Sequence, residues 1–136
     1  MTQFPTPDQL ASWAGVSPGS NESASRVKST KTRPGNRYLK GALGVAALNQ
    51  AKSKNTYFSA KYRQLASTRG PMKAIVAVEH AMLTAAWHML TNAESYRDPG
   101  ADYYTRQDPA KTKARAVRQL EALGYTVTIQ PVQQAP

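Results

Sequence analysis

Five serines, Ser17, Ser20, Ser23, Ser25 and Ser29, fall within the stretch SPGSNESASRVKSTKTRPGN, beside Arg26, Lys28, Lys31 and Arg33. A serine hydroxyl attacks a phosphodiester when a base or cation lowers the cost of its alkoxide and the phosphate is held in line. Arg26 and Lys28 are suited to stabilise both the alkoxide and the charge that develops at phosphorus. Two plainer readings stand beside this one. Ser and Thr are ordinary loop residues, and a polar stretch with almost nothing to bury is a candidate for disorder.

Other residues invite metal or acid chemistry. Glu79, His80 and His88 lie on one helical pattern, but eight residues separate the imidazoles by about 12 Å in height, too far to share an ion. The helix-borne zinc spacing, two His four apart with Glu between, is absent. Partly buried histidines with hydrogen-bond partners are expected instead, and no metal site. Glu94, Asp98, Asp102 and Asp108 have the residue types of a two-metal nuclease, yet no strand fixes them at a few ångströms' spacing. They read as solvated loop carboxylates. Tyr57, Tyr62, Tyr96, Tyr103 and Tyr104 can stack on bases or act as a nucleophile, the last three reading better as loop anchors.

Charge narrows the choice of partner. Eighteen Lys and Arg against eight Asp and Glu give +10 over 136 residues. Between Glu22 and Glu79 no acidic residue occurs, while twelve basic ones do. Folded surfaces normally mix signs. A one-sign span points to phosphates, with nucleic acid favoured over an anionic membrane or an acidic protein. Arg26, Lys28, Lys31, Arg33, Arg37 and Lys40 are the expected phosphate contacts. Cysteine is absent, so there is neither a disulfide nor a thiolate. No apolar run approaches the roughly 18 residues of a membrane span, and the N-terminus has no signal-peptide layout. A cytoplasmic, nucleoid-associated protein is expected, without membrane contact.

These residues need elements to position them. Thr6-Pro7-Asp8-Gln9 reads as an N-cap, a first-position proline and a capping box. Leu10, Trp13 and Ala14 then form a face, and Gly15 ends the helix. Asn36 caps a helix to about Ser53, with Leu39, Ala42, Leu43, Ala46 and Gln50 as its face. Arg37 and Lys40 stand in its first turns, where a docked phosphate would relieve their conflict with the helix dipole. Helices follow over about Thr56 to Thr68, with Phe58, Tyr62 and Leu65 inward, and over Met72 to Leu90, apolar on more than one stripe and hence central. After a tyrosine-rich loop, Asp108 and Pro109 open a last helix that stops at Gly124. Tyr125–Ile129 alternates as a short strand needing an outside partner or remaining an edge. The expectation is a mainly α chain: about five helices, a long basic loop and one short C-terminal strand.

FPTPDQLASWAGVSPGSNESA, TRPGNRYLKGAL, KAIVAVEHAML, YRDPGADYY and LEALGYTVT resemble, in order, the C-terminal part of transposases of the family named after insertion sequences one-ten, one-sixteen and nine-oh-two. Its members are bridge-RNA-guided, DEDD-type recombinases. The resemblance implies a transposase C-terminal domain over 1–130 and a frayed tail over 131–136, with the N-terminal RuvC-like nuclease domain missing. It implies a nucleophilic serine, matched here by Ser23, that links covalently to DNA. Where the family usually continues Ala-Gly-Lys, this sequence has Ala24-Ser25-Arg26.

No cofactor is expected in this chain, and Mg2+ is expected in the missing nuclease domain. The partners implied are DNA, a structured guide RNA and, at full length, further copies of the protein. Transposition is thus the first reading, with strand exchange as the activity of a complete protein and none for the isolated chain. A small basic DNA- or RNA-binding protein without catalysis is the alternative, which composition supports equally well.

Overall fold

A computed structural model describes residues 1–19, 21–23, 26–29 and 31–133, with the backbone alone for 21–23 and 26–28. The chain divides into two compact units, Met1–Asp102 and Tyr103–Pro136. The first holds α1 (Pro7–Ala14), β1 (Asn21–Ser23), β2 (Arg26–Ser29), α2 (Arg37–Lys52), α3 (Tyr57–Arg69) and α4 (Pro71–Asn92). The second holds α5 (Tyr103–Gln107) and α6 (Pro109–Ala122). The architecture is mainly helical, as the sequence periodicity implies.

Helix starts follow local chemistry. The Thr6 hydroxyl accepts from the Gln9 N–H, and Asn36 Oδ1 accepts from the Leu39 N–H at 2.9 Å. Thr56 and Ser59 form a reciprocal capping box at α3, and Asp108 Oδ1 accepts from Lys111 N–H at α6. Each cap satisfies backbone donors that the first helical turn leaves orphaned. Gly15 closes α1 in the left-handed region at φ 77°.

Helix α4 is the centre of the first unit, packing against α1, α2 and α3. One cluster joins buried Leu10, Ala11, Ala14, Val16 and Leu83, with Phe4, Leu39, Leu43 and Trp87 against it. The other joins Ala47, Phe58 and Val78, with Tyr57, Tyr62 and Ile75 around them. The Trp87 indole N–H donates to the Phe4 carbonyl at 2.8 Å, fastening the N-terminal segment onto α4.

Several expectations are corrected. Tyr125–Ile129 is not a strand: among the described residues the only sheet is β1–β2, and alternation without a partner leaves the ladder bonds unmade. Within the expected basic loop, β1 and β2 form an antiparallel hairpin that the sequence reading did not foresee. The tyrosine-rich loop contains α5. Along α2 Leu39 and Leu43 pack against the core as expected, but the buried residue is Ala47, and Ala42 is exposed. Trp13 is 49% exposed and leans on Phe4, so Leu10, Ala11 and Ala14 anchor α1. No described helix is long and apolar enough to cross a membrane.

Candidate functional site

The hairpin grows from a clamped base. Gly35 runs over the end of α1 so closely that an added Cβ would lie 2.3 Å from the Ala14 carbonyl. A Cβ on Gly15 would meet the Arg33 carbonyl at 2.7 Å. Two backbones cross here with no room for side chains, which only glycine permits. Val16 beside the crossing is fully buried. The two arms then pair: Gly19 N–H donates to the Lys31 carbonyl, and Pro18 bridges to Thr32. Further out, Asn21 faces Ser29, Glu22 faces Val27 and Ser23 faces Arg26, with an irregularity between Asn21 and Glu22.

That register sets Ser23 and Arg26 opposite each other at the outer end of the hairpin, on neighbouring strands. The sequence places them only three apart; the hairpin makes them cross-strand partners. Ser20 and Ser25 lie outside the described residues. Lys28 is on β2, and Ser29 ends it.

Nearer the base, Lys31, Arg33 and Lys40 line a cavity of about 620 Å³ together with Gly19, Ser29, Thr32 and Pro34. Among the described residues no carboxylate lines it. Lys40 Nζ donates to Thr32 Oγ1 at 3.1 Å, so the first turn of α2 is tied to the return arm of the hairpin. The cavity thus gathers three of the six expected cations. Arg37 is elsewhere: its guanidinium lies over the Tyr38 ring, 5.2 Å from the centroid. Arg26 and Lys28 are further out on β2. Sequence reading missed Thr32 and the two crossing glycines, whose roles exist only once both arms are folded.

Beneath α2 lies Glu79 of α4, 5% exposed, its Oε2 without a hydrogen-bond partner. It occupies the room left by Gly44, where an added Cβ would stand 3.3 Å from Oε1. Burial raises its carboxyl above the ordinary 4.5, and attraction to Lys40 opposes the shift. A raised acid contributes stability below its unfolded value and loses it as pH climbs through the folded one. Glu79→Gln is therefore expected to melt a few degrees above the native protein near pH 8. The gap should close toward about pH 4, where both side chains are neutral. Melting curves across that range check it, and a gap that widens in acid contradicts the assignment.

The remaining candidates have structural employment. His80 is half-buried, with Nε2 at 3.9 Å from Asp8 Oδ1. Burial lowers its pKa, Asp8 counters, and Lys61 adds to the lowering. His88, expected to be partly buried, is exposed and edges against Trp87. Asp98 Oδ1 accepts from both Tyr57 N–H at 3.0 Å and Gly100 N–H at 2.7 Å, capping α3 from a distant loop. Asp108 caps α6, and Glu94 accepts from Asn92.

Among the described residues no three of His, Asp and Glu gather as metal ligands. Tyr96 stacks on Phe58 at 5.5 Å. Burial, followed by Asp98 and Tyr57, pushes its phenol up to about 12, which suits an anchor and not a nucleophile. Tyr103 and Tyr104 pack edge to face.

Comparison with known proteins adds one finding. Residues 1–63 match the profile of the transposase IS116/IS110/IS902 family. The matched segment contains the clamped base, the whole hairpin and the cavity, and ends inside α3. No curated protein and no solved structure matches the chain.

Proposed function

We propose, on the premise that residues 1–63 are a transposase-domain segment of that family with a transposition-related function and DNA as its partner, that the hairpin is where the DNA backbone is engaged. The observation that carries the reading is that the family match spans every residue of the basic cavity and both arms bearing Ser23 and Arg26. Phosphates seat against Lys31, Arg33 and Lys40; among the described residues no Asp or Glu lines the cavity, and Glu79 acts on Lys40 from beneath α2. Arg26 and Lys28 extend the positive strip outward along β2.

Ser23 is the nucleophile in this reading. Its Oγ attacks phosphorus, the P–O bond to the departing strand breaks, and that strand leaves as a free hydroxyl. A phosphoserine ester remains. Attack by another strand's hydroxyl reverses the exchange, so the phosphodiester bond is conserved without an external energy source. Arg26, the cross-strand neighbour, supplies positive charge where the phosphorane develops. The magnesium implied by the family resemblance is assigned to the acidic nuclease domain and not to these residues. A structured guide RNA is proposed as a second ligand for the same phosphate-directed cations, and further copies of the protein as its assembly partners.

Duplex binding should fall steeply with salt. Neutralising about five phosphates gives a log–log slope of roughly −4 or beyond. Changing Lys31, Arg33 and Lys40 together to Ala should weaken all duplex sequences alike and make the slope shallower by about 2 to 3. Fluorescence anisotropy across a salt series measures both. A flat response, or loss for one sequence alone, would contradict backbone contact.

A further inference from the structure

A second, larger cavity of about 1030 Å³ shares Ser29, Lys31 and Thr32 with the first and is bounded by α3 and the first half of α4. Its cations are Lys31, Lys61, Arg69 and Lys73. Among the described residues none of the four makes an ion pair, and no Asp or Glu lines the groove; Asp8 approaches through His80 at 3.9 Å. The helix spacing explains the convergence. Lys61, Leu65 and Thr68 share one face of α3, and Lys73, Val76, Ala77 and His80 share one face of α4. The two faces meet the hairpin arm with charges at the rim and apolar side chains between them. Met72, between Arg69 and Lys73 in sequence, is 78% exposed.

We propose that this groove binds a single, unpaired nucleic-acid strand, with phosphates on Lys61, Arg69 and Lys73 and bases against Leu65, Met72 and Val76. The inference rests on the nucleic-acid reading above and adds a second track to it. A duplex keeps its bases stacked inside two backbones, so it can use the charged rim but not the apolar floor. A single strand uses both, as cation-lined grooves with base-contacting walls do. Because Ser29, Lys31 and Thr32 line both cavities, the duplex and the single strand would run next to each other along one hairpin arm.

The test is anisotropy with labelled oligothymidylate and oligouridylate of about twelve nucleotides, beside a duplex of equal length. Lys61→Ala, Arg69→Ala and Lys73→Ala combined should cut single-strand affinity about tenfold or more and make the salt slope shallower by about 2. Duplex affinity should stay within about threefold, being held by the first cavity. Met72→Ser, an exposed change without loss of charge, should weaken the single strand with an unaltered salt slope. Lys111→Ala, Lys113→Ala and Arg115→Ala on α6 remove the same charge as a control.

Binding of either oligonucleotide with this variant pattern supports the groove, and the preference between them assigns the sugar. Equal losses from the groove and α6 triples, or a larger loss for duplex than for single strand, overturn it. Native protein that binds duplex, with groove variants indistinguishable from it on every probe, sinks the groove and leaves the proposed function standing. Native protein that binds neither at low salt sinks the proposed function.

Discussion

Gly35→Ala is expected to destabilise the first unit by about 3 kcal/mol, the upper range for forcing atoms into a packed site. That corresponds to a fall in Tm on the order of 10 °C or more. The added methyl would need the space of the Ala14 carbonyl, 2.3 Å away, and that neighbour is backbone at a helix end, not the tip of a pliable side chain. The chain must therefore lift off α1. Arg33 and Pro34 move with it, and the cavity loses its shape. Duplex affinity should fall with stability. Gly41→Ala is the contrast, because nothing stands within 4 Å of its added Cβ. In the middle of α2 that change should stabilise by about 0.5–1 kcal/mol. Thermal melts of both variants decide the matter, and a Gly35→Ala protein with native Tm and native binding would show the clamp is not needed.

The second large effect concerns chemistry. On the proposed role of Ser23, and with the acidic nuclease domain that the family resemblance implies supplied by fusion, Ser23→Ala should abolish strand exchange and any protein–DNA adduct. A loss of a thousandfold or more is on the order expected for removing a covalent nucleophile. Duplex affinity should hardly change, since one hydroxyl contributes little to a charge-driven interface. Ser20→Ala and Ser25→Ala should retain both activities. Denaturing gels with labelled DNA read the adduct. Persistence of the adduct in Ser23→Ala refutes the role, and binding with no adduct from the native fusion favours a non-enzymatic binding protein.

What the sequence made legible was local. Thr6, Asn36 and Asp108 act within three residues of themselves, so their caps and the helices behind them could be read directly. The acid-free span marked out the cations for the same reason. The hairpin was opaque because β1 and β2 are polar and carry no hydrophobic alternation. Their order comes from a crossing of Gly15 and Gly35, twenty residues apart in the chain. Arg37 and Lys40 looked equivalent, three apart at one helix start, until Lys40 met Thr32 and Arg37 turned onto Tyr38. Tyr125–Ile129 had the right alternation and no strand to pair with, and α5 is too short for a period to show. Glu79 gave no sign of burial, since its setting depends on Gly44 from another helix.

The bond from Trp87 to Phe4 joins residues 83 apart, and this bears on the order in which a growing chain takes shape. The buried face of α1 finds Leu83, and the segment before it finds the Trp87 indole, only when α4 exists. At about 5–20 residues per second, roughly 4 to 17 seconds separate synthesis of Phe4 from synthesis of Trp87. Through that interval the early segment lacks the platform on which its base is seated. Residues of α1 and the segment before it are therefore made well before α4 and gain their contacts with Leu83 and Trp87 only after α4 has been synthesised.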